Sequence, residues 1–538
     1  MAAALPKLQI DGYPALSDFF TMTPQIVESA RVQDYGMTRA CPGTYYWIWA
    51  WDNMVTALAQ AHWGDTGNLK RIVDFIRTNR DDDGSIPARW TRHLQPMDSR
   101  GTGAMDFLFS ELVLTLYRET GDRSVIQDNY NRIKDAFDAI AHRCDKNGLF
   151  RTMGMYPDLP HKMGRVPDSY VAMDEGAWYG LCRNVEKMAH VLIDDETAGK
   201  AAQLSERIRD SFDQLFWHDD VGFYCDSIHA LKKEKIRSYP LYSLLALESS
   251  ACQPLFRNKT DRCSDFILEY LLSESGISLT PQWDINHTSE PAHSAWYPHW
   301  DYPAIRMLSN SAASNGLIKW LSTLNDCYQR LGYCPEFVAI SKDPEDRWQH
   351  HGAAWNLNCA TGWYRALIHA ICGIHFSHEN MICHSAAGLP DFTLDDLCFK
   401  GGRWSVRKTG SGTHLSGIDI NGDLIKGSCV VPCSYYTKNQ HSLNVRYADQ
   451  EPELPVLTDL IGAALLDVRS LENEIEYTIK GQGIVDISLL RPGAEMIHMD
   501  GKEIIVSKQT TVHLQVQLKG EHRLMLSWDK SRILERNG

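Results

Sequence analysis

Hydrophobic positions follow a helical period over the first two thirds of the chain, from about Trp51 to about Ile374. The clearest stripe runs through Trp178, Leu181, Val185, Met188 and Leu192. Its alternating steps of three and four residues match the 3.6-residue turn of an α-helix with one apolar face. This stripe predicts a helix that packs against neighbouring helices.

The predicted helices come in pairs. A stripe at Leu108, Leu112 and Leu116 ends at a Thr-Gly-Asp turn, and residues 130–142 form its partner helix. Segments 52–62 with 69–76, 198–216 after the Trp178 stripe, and 360–372 extend the pattern. The simplest architecture for this region is a set of antiparallel helix pairs.

After about residue 385 the apolar period becomes two. Segments 512–518 and 475–479 alternate apolar and polar residues, which is typical of half-buried strands. Asn421-Gly422 and Asp500-Gly501 are dipeptides that close tight hairpins. We therefore expect a C-terminal antiparallel β-sandwich.

The change of period predicts three regions. Residues 1–40 form an N-terminal extension that packs on the helices, residues 41–378 form the helical domain, and residues 385–538 form the β-sandwich.

Composition and net charge limit the classes of molecule that the protein can bind. The formal net charge of −14 disfavours nucleic acid, whose binding depends on neutralising phosphates, and it fits a neutral substrate. The sequence shows neither a membrane-spanning apolar run nor a secretory pattern at its start, so we expect no membrane partner and a cytoplasmic location. The 14 cysteines lack paired zinc spacing and are interpreted as free thiols. The oligomeric state stays open.

The first cluster of candidate site residues spans 45–52 and holds five aromatic residues and one carboxylate. Trp51 and Asp52 open a predicted helix, where Asp52 either caps the helix or contacts a substrate. A turn at 83–88 then leads to Arg89 and Trp90. Aromatic rings suit the apolar faces of sugars, so this cluster favours a carbohydrate site.

A second cluster surrounds Asp158 and Tyr156. Prolines on both sides keep Asp158 out of a helix and stiffen its loop, which suits a catalytic acid as well as an ordinary turn hydrogen bond. Asp174 lies in the first turn of the Trp178 helix, where it either complements the helix dipole or contacts a substrate.

A third cluster contains Trp300 and Asp301, and a fourth contains Glu336, Trp348 and Trp355. Glu336 lies in a short apolar run, where partial desolvation raises the pKa of a carboxylate; the alternative is an exposed strand residue.

Two histidines follow the fourth cluster. His350 and His351 are adjacent in sequence and lack the helical spacing that presents two metal ligands on one face. No metal is expected.

The order of these clusters resembles the clan of inverting glycosidases that includes glycoside hydrolase family 63 and the trehalases of family 37. The resemblance rests on Trp51-Asp52, Gly84-Ser85-Ile86-Pro87, Tyr156-Pro157-Asp158, Asp174 through Trp178, Trp296 through Trp300, Pro335-Glu336-Phe337 and Trp355-Asn356. It spans residues 45–374. Pro157, Leu159 and the residues around Trp296 depart from the family pattern.

The resemblance implies an (α/α)6 barrel and hydrolysis of an α-glycosidic bond with inversion, without a cofactor. It implies that Asp158 is the general acid and Glu336 the general base, with Asp168 as a rival for the acid. The residues that bind sugar are then expected to be Trp51, Asp52, Arg89, Trp90, Tyr156, Asp174, Trp300, Asp301, Trp348 and Trp355. The substrate is expected to be an α-glucoside or a related small oligosaccharide.

Other functions share this barrel. An α-L-rhamnosidase is one alternative on this barrel, and an inverting phosphorylase, a second, would need a cation such as Arg347 near the base. A sugar epimerase would use histidines such as His299 and His351. The remaining alternative is an inactive carbohydrate-binding protein.

Overall fold

The computed structural model describes residues 4–32, 35–99, 103–152, 168–285, 287, 294–341, 343, 347–408, 412, 414–449, 455–470, 474–490, 496–504 and 511–527. The chain divides into two compact units. Tyr13–Ala370 makes up nearly all of the first unit, and Pro6–Gly12 with Ile371–Gly538 forms the second.

Helices dominate the first unit. They are α1 (Pro14–Ser29), α2 (Ala50–Gln60), α3 (Thr66–Thr78), α4 (Gly103–Thr120), α5 (Ser124–Ala141), α6 (Ala172–Leu192), α7 (Asp195–Phe216), α8 (Leu241–Glu248, a 3-10 helix), α9 (Thr260–Phe266), α10 (Asp301–Asn310), α11 (Ser314–Leu331) and α12 (Leu357–Ala366). The predicted helix pairs of the sequence correspond to α2 with α3, α4 with α5, and α6 with α7. The expected helix 360–372 begins earlier, and after α12 it continues as a π-helix over Leu367–Ile371.

Even-numbered helices form a closed ring. Each of α2, α4, α6, α8, α10 and α12 contacts the next, and α12 returns to contact α2. Odd-numbered helices pack on the outside of this ring. The described helices thus form an α/α barrel, with six of them inside.

Burial explains which helices lie inside. Every residue of α2 and α12 is buried, as expected for a helix surrounded on all sides by protein. The outer helix α5 buries one stripe, which includes Ile133, Phe137 and Ile140, and it exposes charged residues on its other face. The two stripes seen in the sequence, at Leu108–Leu116 and Trp178–Leu192, nevertheless belong to the inner helices α4 and α6.

Short strands occur in the connections that lead into the inner helices. They are β2 (Ile48–Trp49), β3 (Pro87–Trp90), β4 (Pro96–Ser99), β5 (Ser169–Val171), β6 (Trp217–His218), β7 (Phe223–Tyr224), β8 (Ser227–His229), β9 (Leu272–Ser273), β10 (Gly276–Ile277), β11 (Pro335–Val338) and β12 (His350–Ala354). All of them precede the amino end of an inner helix, so they gather the candidate site residues at one end of the barrel.

The second unit is built from strands. They are β1 (Lys7–Ile10), β13 (Ile374–Phe376), β14 (Met381–Cys383), β15 (Phe392–Phe399), β16 (Gly402–Lys408), β17 (His414–Ile420), β18 (Asp423–Lys426), β19 (Gln440–Ala448), β20 (Val456–Ser470), β21 (Glu474–Leu490), β22 (Met496–Met499), β23 (Lys502–Ile504) and β24 (Thr511–Ser527). Two larger sheets have the orders β1-β15-β16-β19-β17-β18 and β20-β21-β24-β22-β23.

Among the described strands of this predicted antiparallel domain, one strand pair is parallel. Strand β19 pairs in parallel with β16, because it enters the sheet between β16 and the β17–β18 hairpin. The predicted turns are confirmed. Asn421 and Gly422 connect β17 to β18, Asp500 and Gly501 connect β22 to β23, and all four residues have positive φ, as a tight hairpin turn requires.

The N-terminal extension expected over residues 1–40 is divided between the two units. Strand β1 pairs with β15, with Leu8 opposite Leu394, because its alternating buried residues fit a sheet edge. Helix α1 instead packs on α11 and α12, and its Phe20 stacks on Tyr364 with ring centroids 4.0 Å apart. The boundary of the second unit, at Ile371, also precedes the expected one.

Candidate active site

Glu336 lies on β11 at the amino end of the barrel. Its Oε2 accepts a hydrogen bond from the Tyr45 hydroxyl at 2.6 Å and another from the Ala353 amide at 2.8 Å. Among the described residues both donors bind Oε2, so Oε1 is the oxygen that can face a water molecule. Burial raises the pKa of Glu336, and the two hydrogen bonds oppose that rise. These features suit a general base.

A glycine makes room for this carboxylate. Gly352 has a φ of +78°, and a Cβ at this position would lie 2.3 Å from Glu336 Oε2. Any other residue would displace the carboxylate or the β12 strand. The β11–β12 pairing is irregular at Glu336, which turns its side chain out of the ordinary ladder.

Asp52 lies in the first turn of α2 and is 8% exposed. Burial and then the negative charge of Glu336 raise its pKa to about 7. The charge of Glu336 acts on Asp52, so the two carboxyl groups lie near each other. A pKa of about 7 keeps Asp52 protonated below neutral pH, where it adds no second negative charge beside Glu336.

The side chains beneath these two carboxyl groups are aromatic, and we refer to Trp51 and Trp300 as the floor of the site. Trp51 donates from Nε1 to His299 Nε2 at 2.9 Å, and its ring lies 6.1 Å from that of Trp300. Burial lowers the pKa of His299 to about 3, so the imidazole is neutral and accepts this bond. The indole N–H of Trp300 has no acceptor among the described residues. Trp51 and Trp300 are at most 1% exposed, so they form a wall rather than an open face.

Asp301 is enclosed by three indoles. It accepts hydrogen bonds from the Nε1 atoms of Trp296, Trp320 and Trp363, each at 2.8 Å. Its side chain is 0% exposed. The expected contact of Asp301 with a sugar is therefore corrected, since its oxygens already hold the protein together.

Trp90 and Trp355 also pack within the protein. Trp90 is 0% exposed and donates to the Asn79 carbonyl at 2.7 Å, which leaves no face for a sugar. Trp355 stacks on Phe19 of the outer helix α1, with ring centroids 6.2 Å apart. The aromatic density of the sequence drew both residues into the expected site, but burial assigns Trp90 to packing, whereas Trp355 is half-buried and stays a proposed site residue.

Arg89 and Trp348 remain near the opening. The Arg89 guanidinium lies 3.9 Å from the ring centroid of Trp47, and strand pairing places Arg89 opposite Trp49. Trp348 is half-buried, and its ring lies 6.4 Å from that of Trp296.

Asp158 and Tyr156 lie outside the described residues. Asp174, on the far side of that segment, is 0% exposed and accepts a 2.7 Å hydrogen bond from the Thr152 hydroxyl. Asp168, the rival acid, has a φ of +68° and forms a 2.9 Å ion pair with Arg151.

Sequence reasoning missed Tyr45 and Gly352 as site residues. Tyr45 belongs to the aromatic cluster 45–52, but nothing local shows that its hydroxyl reaches a residue so distant in sequence. Among the described residues no group of three or more His, Cys, Asp or Glu side chains is arranged to hold a metal ion. No helix in the described part of the chain is long and apolar enough to cross a membrane.

Residues 40–243 match the family described as the bacterial alpha-L-rhamnosidase 6 hairpin glycosidase domain. The matched segment begins before the aromatic cluster and ends within α8. No curated protein matches the sequence significantly.

Several solved structures share the fold. A family 63 mannosylglycerate hydrolase from Thermus thermophilus, in complex with Tris and D-glycerate, is 13% identical, covers 65% of this chain and 99% of its own, and has a TM-score of 0.50. A family 78 rhamnosidase of Bacillus sp. GL1 is 11% identical, covers 76% of this chain and 42% of its own, and has a TM-score of 0.54. A sialidase is 11% identical, covers 74% of this chain and 38% of its own, and has a TM-score of 0.56. At these identities the likeness shows the fold.

Proposed function

We propose that the chain is a glycoside hydrolase that cleaves an α-glycosidic bond with inversion of configuration, and the match of residues 40–243 to a six-hairpin glycosidase domain supports this proposal. Glu336 is the general base that activates water, and Asp158 is the general acid that protonates the leaving oxygen. The observation that carries the proposal is the Glu336 carboxylate, which is held through one oxygen beside Asp52.

Ring order supports the pairing of acid and base. Glu336 lies in the connection that leads into α12, and Asp158 belongs in sequence to the connection that leads into α6. Helices α6 and α12 are opposite members of the ring. An inverting enzyme needs its two carboxyls on opposite faces of the sugar, about 6.5–9.5 Å apart, so that a water molecule fits.

Asp52 and the aromatic floor support a sugar-binding role. A protonated carboxyl donates a hydrogen bond to a sugar hydroxyl without adding a second negative charge beside Glu336. Arg89, Asp174 and Trp348 are proposed to complete the wall around the sugar, together with Trp51 and Tyr156.

Water is the proposed nucleophile. Arg347, the cation that a phosphorylase would direct at phosphate, forms a 2.9 Å ion pair with Glu274. That pairing favours hydrolysis over phosphorolysis.

The substrate sugar has two candidates. The order of the sequence motifs favours an α-glucoside, and the family match over residues 40–243 favours an α-L-rhamnoside. Both reactions use the same acid and base, so the mechanism does not distinguish them.

The test is a panel of α-glucosides and α-L-rhamnosides, with proton NMR of the first-formed sugar. We expect cleavage of one class with release of the β-anomer. Release of the α-anomer would overturn inversion.

Variants test the two roles. Glu336→Gln and Asp158→Asn are each expected to lower kcat by roughly a hundredfold or more. Asp168→Asn is the matched control and should keep wild-type activity. Loss of activity in Asp168→Asn with retention in Asp158→Asn would transfer the acid role to Asp168.

A further inference from the structure

Two aromatic side chains at the barrel opening are exposed, in contrast to the tryptophans of the floor. Trp47 is 40% exposed and Tyr46 is 72% exposed, whereas Trp51 and Trp300 are at most 1% exposed. Large apolar side chains at an opening present surface that a ligand can cover. The exposed indole is therefore a different feature from the floor.

Trp47 is held in place from one side. The Arg89 guanidinium lies 3.9 Å from its ring centroid and 4.8 Å from that of Trp49. The two indoles lie 6.3 Å apart at 73°. Cation–π contact of this kind orients a ring at an exposed site. We refer to Trp47, Trp49 and Arg89 as the Trp47 platform.

The platform adjoins the proposed base. Tyr45, two residues before Trp47, donates its hydroxyl to Glu336 at 2.6 Å. The Cα atoms of residues two apart lie at most about 7 Å from each other, so Trp47 and Tyr45 leave the same short stretch of backbone. The platform thus belongs to the same connection before α2 that supplies a hydrogen-bond donor to the proposed base.

We infer that Trp47 is a stacking platform for the leaving-group sugar, outside the pocket where the bond breaks. This inference rests on the proposed function. In a pocket whose floor is sealed by Trp51 and Trp300, the substrate projects outward from the cleaved bond. The exposed indole then meets the next ring, whose apolar face it stacks against. The substrate class is a disaccharide or oligosaccharide, rather than a glycoside of a small non-sugar alcohol.

The experiment compares substrates that differ in the leaving group. Wild type, Trp47→Ala and Tyr46→Ala are assayed on maltose, kojibiose and α-D-glucosyl fluoride, or on an α-L-rhamnosyl disaccharide and α-L-rhamnosyl fluoride. A fluoride offers no second ring to stack. Trp47→Ala should lower kcat/KM for the disaccharide by roughly three- to tenfold and should hydrolyse the fluoride at the wild-type rate.

Tyr46→Ala is the matched control, since it removes a neighbouring exposed ring that lies outside the platform, and it should behave as wild type on both substrates. Trp47→Phe should restore part of the disaccharide rate. An unchanged disaccharide rate in Trp47→Ala, or an equal loss on both substrates, would overturn the inference.

Binding separates this inference from the proposed function. The same disaccharides are titrated by calorimetry into Glu336→Gln, with and without Trp47→Ala. Weaker binding in the double variant supports the platform even if wild type cleaves nothing, an outcome that would refute only the hydrolase proposal. Equal binding, or no binding to any disaccharide, overturns the platform.

Discussion

The Tyr45 hydroxyl and the Glu336 carboxylate, 291 positions apart in the chain, meet at 2.6 Å. Tyr45 precedes α2 and Glu336 precedes α12, and these two helices close the ring. Burial and then the carboxylate raise the pKa of the Tyr45 phenol, so it remains a donor at any working pH. The proposed base is thus held where the ring closes, by a contact between the connection before α2 and the connection before α12.

Replacement of Tyr45 tests this contact. Tyr45→Phe removes a hydrogen bond that favours the charged form of Glu336, so the pKa of Glu336 should rise by about one unit. Glu336 must be ionised to act as a base. We therefore expect the acidic limb of the kcat/KM profile to move to higher pH by the same amount.

Tyr333→Phe is the matched control for that profile. Its hydroxyl bonds His350 Nδ1 at 2.8 Å on the same β-hairpin, away from the carboxylate. The control should leave the acidic limb unchanged. If Tyr45→Phe lowers kcat/KM at every pH but leaves the acidic limb at the same pH, the phenol does not affect the pKa of Glu336.

The pKa of about 7 at Asp52 predicts a change in substrate affinity near neutral pH. Below that pH the neutral carboxyl donates to the sugar, and above it a second negative charge appears beside Glu336. We expect the wild-type KM to rise above about pH 7. Asp52→Asn keeps a neutral donor, so its KM should stay flat over the same range.

A further variant checks the donor itself. Asp52→Leu removes the donor and should raise KM at every pH. A flat KM in wild type from about pH 6 to 8 would contradict the assignment of a neutral Asp52.

Local pattern predicted the helices well because amphipathic stripes are visible in sequence. The Trp178 stripe marks α6, and the period-two segments mark β21 and β24. Glu336 was also identifiable, since its short apolar run predicted the partial desolvation that raises its pKa.

The roles of the aromatic residues were not accessible in the same way. Composition marks Trp47, Trp51 and Trp90 equally, yet only Trp47 is substantially exposed. Which indole faces solvent depends on ring closure, a non-local property. The same limit applies to Asp301, whose three indole donors come from separate parts of the barrel.

The enclosed Asp301 should make stability depend on pH. Burial raises its pKa to about 7, against its three hydrogen bonds, so the native state binds this proton more tightly than the unfolded chain does. Its contribution to the free energy of unfolding therefore falls as pH rises from about 4 to 7. Asp301→Asn cannot titrate and should lack that fall, while losing about 1–3 kcal/mol from an indole left without an acceptor.

Urea unfolding followed by tryptophan fluorescence at several pH values measures both effects. Asp326→Asn, an exposed carboxylate on the outer helix α11, is the control and should follow wild type. A parallel pH dependence in Asp301→Asn and wild type would mean that Asp301 does not hold the proton.

Ile193 offers a stabilising change far from the site. It caps the carboxyl end of α6 with a φ of 65°, and it is 74% exposed. A β-branched residue is strained in the left-handed region, where glycine is not. Ile193→Gly should therefore raise the free energy of unfolding by about 1 kcal/mol, measured by urea unfolding, without changing activity. Ile193→Ala removes the same exposed apolar side chain but keeps a Cβ in the strained conformation, so it should gain little. Equal stabilisation by both variants would assign the gain to side-chain exposure instead of backbone strain.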